Sequence, residues 1–258
     1  MLQEIEPKDD IKELFAKTNL INNICTWIFW INVGMALASC YLESHPYEYD
    51  VTTLQIILLV SYIGATTLNN KWLLYNAEAA RRRNAVENAF QIYMSEKSVI
   101  GYYNNQISHP FQKYAVNLFE SCFFSKNIVS KMRNKAVVKL FGVLIFCICA
   151  FRNIHDSRAI MLVIEVAFSA VVFSDLISIL FYFDKLTKIY DNMYEHMITI
   201  KTSYDEQNVF LLYDIVEYEA VKAHYNVLLD EKIYNKYNDL LSKEWNHILE
   251  QITFEKSH

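Results

Sequence analysis

Apolar residues cluster in four long stretches along this chain of 258 residues, and polar sequence separates the stretches into two closely spaced pairs. Each stretch is roughly the length that crosses about 30 Å of hydrocarbon at about 1.5 Å per helical residue. Only helices and closed barrels satisfy their backbone polar groups in lipid, and no alternating strand pattern is present. We therefore predict four transmembrane helices, at Leu20–Leu42, Val51–Leu68, Ala136–Phe151 and Ala159–Phe183.

The alternative is a soluble helical bundle whose core helices are unusually apolar. The run from Ile56 to Val60 argues against it, because it lacks the polar face of a bundle helix. The chain is 53% hydrophobic with a mean hydropathy of only +0.08, so a large part of it must fold in water. Three of its four glycines lie inside the apolar stretches, which excludes a P-loop or a dinucleotide-binding loop.

The basic residues predict the orientation of the four spans. Residues 69–135 carry ten Lys and Arg side chains against four acidic ones, whereas the loop between the first two spans carries no Lys or Arg. By the positive-inside rule, residues 69–135 face the cytoplasm and both termini do too. Arg152 and Arg158, between the last two spans, are a mild exception. The acidic N-terminus lacks the features of a signal peptide, so we expect the first span to be an uncleaved anchor.

These boundaries predict an all-α protein of four regions. Residues 1–68 form an amphipathic N-terminal helix and the first transmembrane hairpin, and residues 136–186 form the second hairpin. Residues 69–135 and 187–258 form a helical cytoplasmic domain.

Helical periodicity organises both cytoplasmic regions. Trp72, Tyr75, Ala79, Phe90 and Tyr93 mark a helix running out of the second span, and a second helix begins at Pro110, a favourable first helical position. We predict tail helices at Phe210–Tyr225 and Ile233–Phe254. The apolar stripe of the last one suits docking against another helix, and consists of Tyr237, Leu241, Trp245, Ile248 and Ile252.

The two cytoplasmic regions have opposite net charges, about +6 for residues 69–135 and about −6 for residues 187–258. Opposite fields favour association, so the regions either pack together or supply a site for an anionic ligand. In the second case guanidinium groups would bind phosphates and tyrosine rings would stack on bases. The predicted ligand-binding residues are Arg81, Arg82, Arg83, Lys97, Tyr102 and Tyr103. An arginine triplet near a membrane is also typical of a topology signal or a lipid contact.

Glu165 and Asp175 place two carboxyl groups in the fourth span, within about 80° of each other on a helical wheel. Ionised carboxylates facing lipid are costly, so both are predicted to line a pore. The alternative is that Glu165 pairs with Arg158 and that Asp175 is buried in hydrogen bonds. Asn32 and Gln55 are further polar groups in the spans that can hydrogen-bond between helices.

No catalytic or metal-binding pattern is present. The seven histidines are scattered without helical pairing, and no cysteine stands at ligand spacing from them. Four of the five cysteines fall in the spans, where they are expected to be small apolar residues of a reducing compartment. We therefore predict a non-enzymatic protein without a cofactor.

Several short motifs carry a resemblance that covers nearly the whole chain. They are Arg81–Asn84, Ser95–Ser98, Gly101–Asn105, Asn117–Glu120, Ser130–Met132, Tyr213–Ala220, Ile233–Tyr234 and Leu240–Trp245. In these motifs the chain resembles the bacterial four-transmembrane effectors of nucleotidyltransferase-associated anti-phage systems, including the Hailong type.

This resemblance implies a homo-oligomeric ion channel in the bacterial inner membrane, in contact with membrane lipids. Its opening would be controlled by a nucleotide or single-stranded DNA oligomer that a partner nucleotidyltransferase makes. Independently of the resemblance, the four spans of a single chain cannot enclose much of a water-filled path. An ion pathway therefore requires several chains around a shared axis. The alternatives are a membrane-anchored scaffold or sensor and, less favoured because no His/Asp constellation is present, a lipid-modifying enzyme.

Overall fold

The fold is all-α across the residues that the structure, a computed structural model, describes: 10–41, 46–92, 94, 105–153, 170–200 and 203–252. No strand occurs among these residues. The α-helices are α1 (Asp10–Tyr41), α2 (Glu48–Leu68), α3 (Leu74–Phe90), α4 (Pro110–Asn153), α5 (Ala170–Tyr194), α6 (Tyr204–Tyr225) and α7 (Glu231–Leu249). A π-helical turn at Asn69–Leu73 joins α2 to α3, and a second, Glu195–Thr199, follows α5.

The helices form two antiparallel pairs that extend from one packed region. Helix α1 packs on α2, and α4 packs on α5. From Asp10 on, the predicted amphipathic segment is the first part of α1, without a break before the predicted span, and residues 1–9 lie outside the described part. Likewise α4 runs from the predicted cytoplasmic region through the third predicted span as one helix of 44 residues.

The hydrophobic core lies at one end of these pairs. Its members come from the first half of α4, the second half of α5, and α3, α6 and α7. Phe119 and Phe123 of α4 contact Trp245 of α7, with ring centroids 5.2 and 5.8 Å apart. Leu241 and Trp245 are buried and the other three residues of the tail stripe pack against the core, which confirms the predicted docking of the last helix.

One helical unit in the described part of the chain is long and apolar enough to cross a membrane. This unit, Tyr49–Phe90, has a mean hydropathy of 1.7 over its most apolar 18 residues, of which only 6% are buried. It contains the second predicted span. The other three spans, the inner-membrane location and the oligomer stay predictions.

The helix expected after the second predicted span is confirmed over Leu74–Phe90, but the aromatic residues near its start face outward. Tyr93 lies outside the described residues. Trp72 and Tyr75 are exposed, whereas Leu74, Ala77 and Ala85 are buried. Small alanines allow close contact with the neighbouring helices, so the inward face of α3 is the less conspicuous one in the sequence.

Local signals account for several helix ends. Helix α4 begins at Pro110 as predicted. Asp230 caps α7 by accepting hydrogen bonds from the backbone N–H groups of Lys232 and Ile233. Asn226 ends α6 in the left-handed conformation, with φ of 47°. Helices α6 and α7 begin at Tyr204 and Glu231, six and two residues earlier than predicted.

We expect Trp245→Ala to lower the free energy of unfolding by about 3–5 kcal/mol, since it empties the contact with Phe119 and Phe123. Leu240→Ala is the control on the same helix, because Leu240 is 54% exposed, and it should change stability by less than about 0.5 kcal/mol. Chemical denaturation of the purified protein measures both. Equal effects would contradict the position of α7 on the core.

Candidate functional site

A buried ion cluster joins α3 to α6. Arg81 donates from Nε to Glu78 Oε2 and from Nη2 to Glu219 Oε1, each over 2.7 Å. Lys222 Nζ lies 2.7 Å from Glu78 Oε1. The Glu78, Arg81 and Lys222 residues are all less than 10% exposed. Residues 78 and 81 belong to the basic region 69–135 and residues 219 and 222 to the acidic region 187–258, so the two regions pack together here.

The pKa of Glu78 shows how strongly the cluster favours the charged carboxylate. Burial raises this pKa, but the charges and hydrogen bonds of Lys222 and Arg81 outweigh burial and lower it to about 2. The pKa of Lys222 is lowered, first by burial and then by the nearby Arg81. The charges are stable only as a set, since removing one would leave its partners buried and unpaired.

Beyond the ion cluster, asparagine side chains join α6 to the α1–α2 pair. Asn226, at the end of α6, donates from Nδ2 to the carbonyl of Asn70 over 2.8 Å. Asn69 is buried and donates from Nδ2 to the carbonyl of Thr18 in α1 over 3.2 Å. Both contacts fall on the π-helical turn between α2 and α3, and such turns are frequent at functional positions. The end of α6 is thereby tied to α1 and α2.

The three arginines of the predicted ligand site face different directions. Arg81 is buried in the ion cluster. Arg82 is half-buried, with Nη1 3.9 Å from Glu219 Oε2 and its guanidinium 6.0 Å from the ring centroid of Tyr75. Arg83 is exposed and has no ion-pair partner among the described residues. Arg82 and Arg83 are thus accessible to an anion, whereas Arg81 holds two helices together.

The other predicted site residues are not placed by the structure. Lys97, Tyr102 and Tyr103 lie outside the described residues, as does Glu165. Asp175 belongs to α5, but its side chain is also outside the described part. Asn32 and Gln55 are both buried in the α1–α2 pair, and hydrogen bonding between helices through them stays a prediction.

Two polar networks link helices that are distant in sequence. Asn117 of α4 accepts from Asn105 Nδ2 over 2.6 Å and donates to the carbonyl of Ala85 over 3.3 Å. His196 Nδ1 lies 2.6 Å from Asp214 Oδ2, which connects the π-helical turn after α5 to α6. The predicted site contains neither pair. Residues 196 and 214 stand on separate helices, so no sequence spacing marks them.

Glu120 is a second carboxyl group that the predicted site does not contain. Its Oε2 atom is fully buried without a hydrogen-bond partner among the described residues. Burial raises the pKa of Glu120 to about 7, so this carboxyl group is close to half protonated at neutral pH.

These groups join helices that are distant in sequence. No group of three or more His, Cys, Asp or Glu in the described part of the chain could hold a metal ion. The ion cluster joins α3 to α6, and the asparagine contacts join the end of α6 to the π-helical turn and that turn to α1. A displacement of α6 relative to α3 would break the ion cluster.

Comparison with known proteins finds no match: no family model, curated protein or solved structure is similar to this chain.

The Glu78 cluster should make stability depend on acid pH. The pKa of Glu78 is about 2 in the folded protein and 4.5 in the unfolded chain. The contribution of its carboxylate to the free energy of unfolding is therefore complete above pH 4.5. It is lost as pH falls from 4.5 towards 2, and amounts to about 3 kcal/mol. Glu78→Gln should lower the free energy of unfolding at pH 7 by about 3–5 kcal/mol and remove this pH dependence. Glu244→Gln, at an exposed position, is the matched control; equal losses in both variants would refute the role of the cluster.

Glu120 should have the opposite pH dependence. Its folded pKa of about 7 exceeds the unfolded value of 4.5, so its contribution is present below pH 4.5 and lost as pH rises through 7. The free energy of unfolding of Glu120→Gln should therefore rise by about 3 kcal/mol relative to that of the wild type as pH increases from 4.5 to 8. Denaturant titrations across this range measure the difference. A difference that stays constant with pH would show that the carboxyl group is not buried.

Proposed function

We propose that the chain is a multi-pass membrane protein with two transmembrane hairpins and a helical cytoplasmic domain. The observation that carries this proposal is the exposure of large apolar side chains on the hairpins, away from the core. Trp27 of α1 is 70% exposed, and Val138 and Ile148 of α4 are 70% and 66% exposed. Contiguous apolar surface of this kind is rare on soluble monomers and usual where lipid covers it.

The exposed residues follow helical faces. On α4, Val138, Phe141, Ile145 and Ile148 recur at three- and four-residue intervals, and all are at least 60% exposed. On α2, Ile56, Ile57, Val60 and Ile63 are each at least half exposed. Helix α4 itself continues into the packed region, and α2 leads there through the π-helical turn and α3. Each path would therefore face lipid at one end and water at the other.

Within this arrangement the protein acts as the effector of a bacterial anti-phage system, forming an oligomeric ion channel in the inner membrane. The sequence resemblance supports the effector role. The polar connection from α6 to the π-helical turn supports control from the cytoplasmic side, since it joins the cytoplasmic domain to the first hairpin.

The controlling ligand in this proposal is a nucleotide or single-stranded DNA oligomer from a partner nucleotidyltransferase. Arg82 and Arg83 bind its phosphates, with Lys97, Tyr102 and Tyr103 completing the site. Arg81 is a positioning residue, because its guanidinium is occupied by Glu78 and Glu219. Glu165 and Asp175 shape the ion pathway.

Ion flux through the purified protein in liposomes tests the channel. We expect flux that changes when a single-stranded deoxyoligonucleotide is added on the cytoplasmic side. Asp175→Asn should alter cation selectivity, since it removes a charge from the pathway. Asp184→Asn is the matched control on α5, because Asp184 is exposed and pairs with Lys188.

Liposomes that stay impermeable under every condition would contradict the channel. The protein would then be a membrane-anchored scaffold, provided that it remains in the membrane fraction after alkaline extraction.

A further inference from the structure

The outward face of α6 is apolar and acidic. Its buried face includes Leu211, Ile215 and Tyr218, while Val209, Tyr213 and Val216 on the opposite side are 64%, 56% and 57% exposed. Acidic residues lie at the edges of this exposed stripe, at Asp205, Glu206 and Glu217. The stripe belongs to the cytoplasmic domain of the proposed arrangement, so lipid does not explain its exposure.

The outward face of α3 is apolar and basic. Tyr75 and Phe90 are 60% and 38% exposed, and Arg83 is exposed between them on the same side of the helix. Arg82 lies at the edge of this face. The α3 face is therefore complementary to the α6 face in charge, and each face has apolar side chains to bury.

The two ion pairs between α3 and α6 within one chain give the register of these helices, and in the proposed arrangement this register sets which of their residues lie at the same depth. Glu219 pairs with Arg81, and Lys222 pairs with Glu78. The helices are antiparallel, so from one ion pair to the next the residue number rises by three on α6 and falls by three on α3. In the opposite direction, two residues before Glu219 on α6 correspond to two residues after Arg81 on α3. This places Glu217 level with Arg83.

Copies inserted in one membrane share one orientation, so the operation that relates them is a rotation about the membrane normal. Such a rotation preserves depth. A contact between two α6 faces across a two-fold axis would therefore place Glu217 against Glu217, and two α3 faces would place Arg83 against Arg83. Both contacts bring like charges together. A contact of α6 on one copy with α3 on the next brings Arg83 level with Glu217 instead.

We propose that the outward face of α6 docks on the outward face of α3 of a second copy, with Arg83 pairing with Glu217 of that copy. The contact is heterologous, so repeating it builds a ring around the membrane normal. This inference rests on the proposed membrane insertion. It also couples assembly to the ligand, because a phosphate bound at Arg83 competes with Glu217 for the same guanidinium.

Cysteine cross-linking in native membranes tests the contact. Two differently tagged chains, one with Arg83→Cys and one with Glu217→Cys, are co-expressed and treated with a short bismaleimide. We expect linked pairs that carry both tags, and neither variant expressed alone should link above the wild-type background of the five native cysteines. A chain with both substitutions should give a ladder beyond the dimer, since a heterologous contact repeats.

Linked pairs from Arg83→Cys or Glu217→Cys alone would overturn the proposal, because they require a two-fold contact. Absence of linked pairs would also overturn it if alkaline extraction leaves the protein in the membrane. Release by alkaline extraction would instead refute the membrane insertion on which the inference rests.

Charge reversal provides a second measurement that does not depend on cysteine. Arg83→Glu should reduce the oligomer fraction in mild detergent, and adding Glu217→Arg should restore it. Lys236→Glu, at an exposed position on α7, is the control and should leave the fraction unchanged. Failure of the double variant to recover would contradict the pairing.

Discussion

The buried ion cluster between α3 and α6 is the interaction on which the rest of the arrangement depends. Three charged groups, on Glu78, Arg81 and Lys222, are buried together beside the partly buried Glu219. The cost of removing them from water is offset only because each meets an opposite charge at 2.7 Å. An apolar contact between two helices tolerates sliding, whereas this cluster fits one register. It therefore sets the depth of α6 beside α3 and brings Asn226 to the π-helical turn at the base of the first hairpin.

Much of the fold could be predicted because it rests on local signals. Pro110 marks the start of α4, and the stripe around Trp245 identifies the face that docks on the core. The outward orientation of Trp72 and Tyr75 could not be predicted in the same way, since burial on α3 depends on which helices flank it. The alanines of its inner face give no strong hydrophobic signal, although they permit the closest packing.

The site was less predictable for a geometric reason. Consecutive residues of a helix are about 100° apart, so three adjacent arginines cannot all face one ligand. The opposite net charges of residues 69–135 and 187–258 agree with the packing of these two regions. Net charge does not distinguish Arg81, which faces α6, from Arg83, which faces away. His196 and Asp214 meet through tertiary packing alone, and neither composition nor spacing marks such a pair.

The continuity of the helices determines how the proposed cytoplasmic domain would act on the proposed membrane hairpins. Helices α4 and α5 pass without a break from the core towards the second proposed hairpin, so a tilt of either helix moves both of its ends. Between α2 and α3, by contrast, the π-helical turn interrupts the regular hydrogen-bond pattern. Asn69 and Asn70 hold that turn to α1 and α6. A shift of α6 would therefore change the backbone locally at residues 69–73, next to the first proposed hairpin. At the second proposed hairpin it would move α4 and α5 as whole helices.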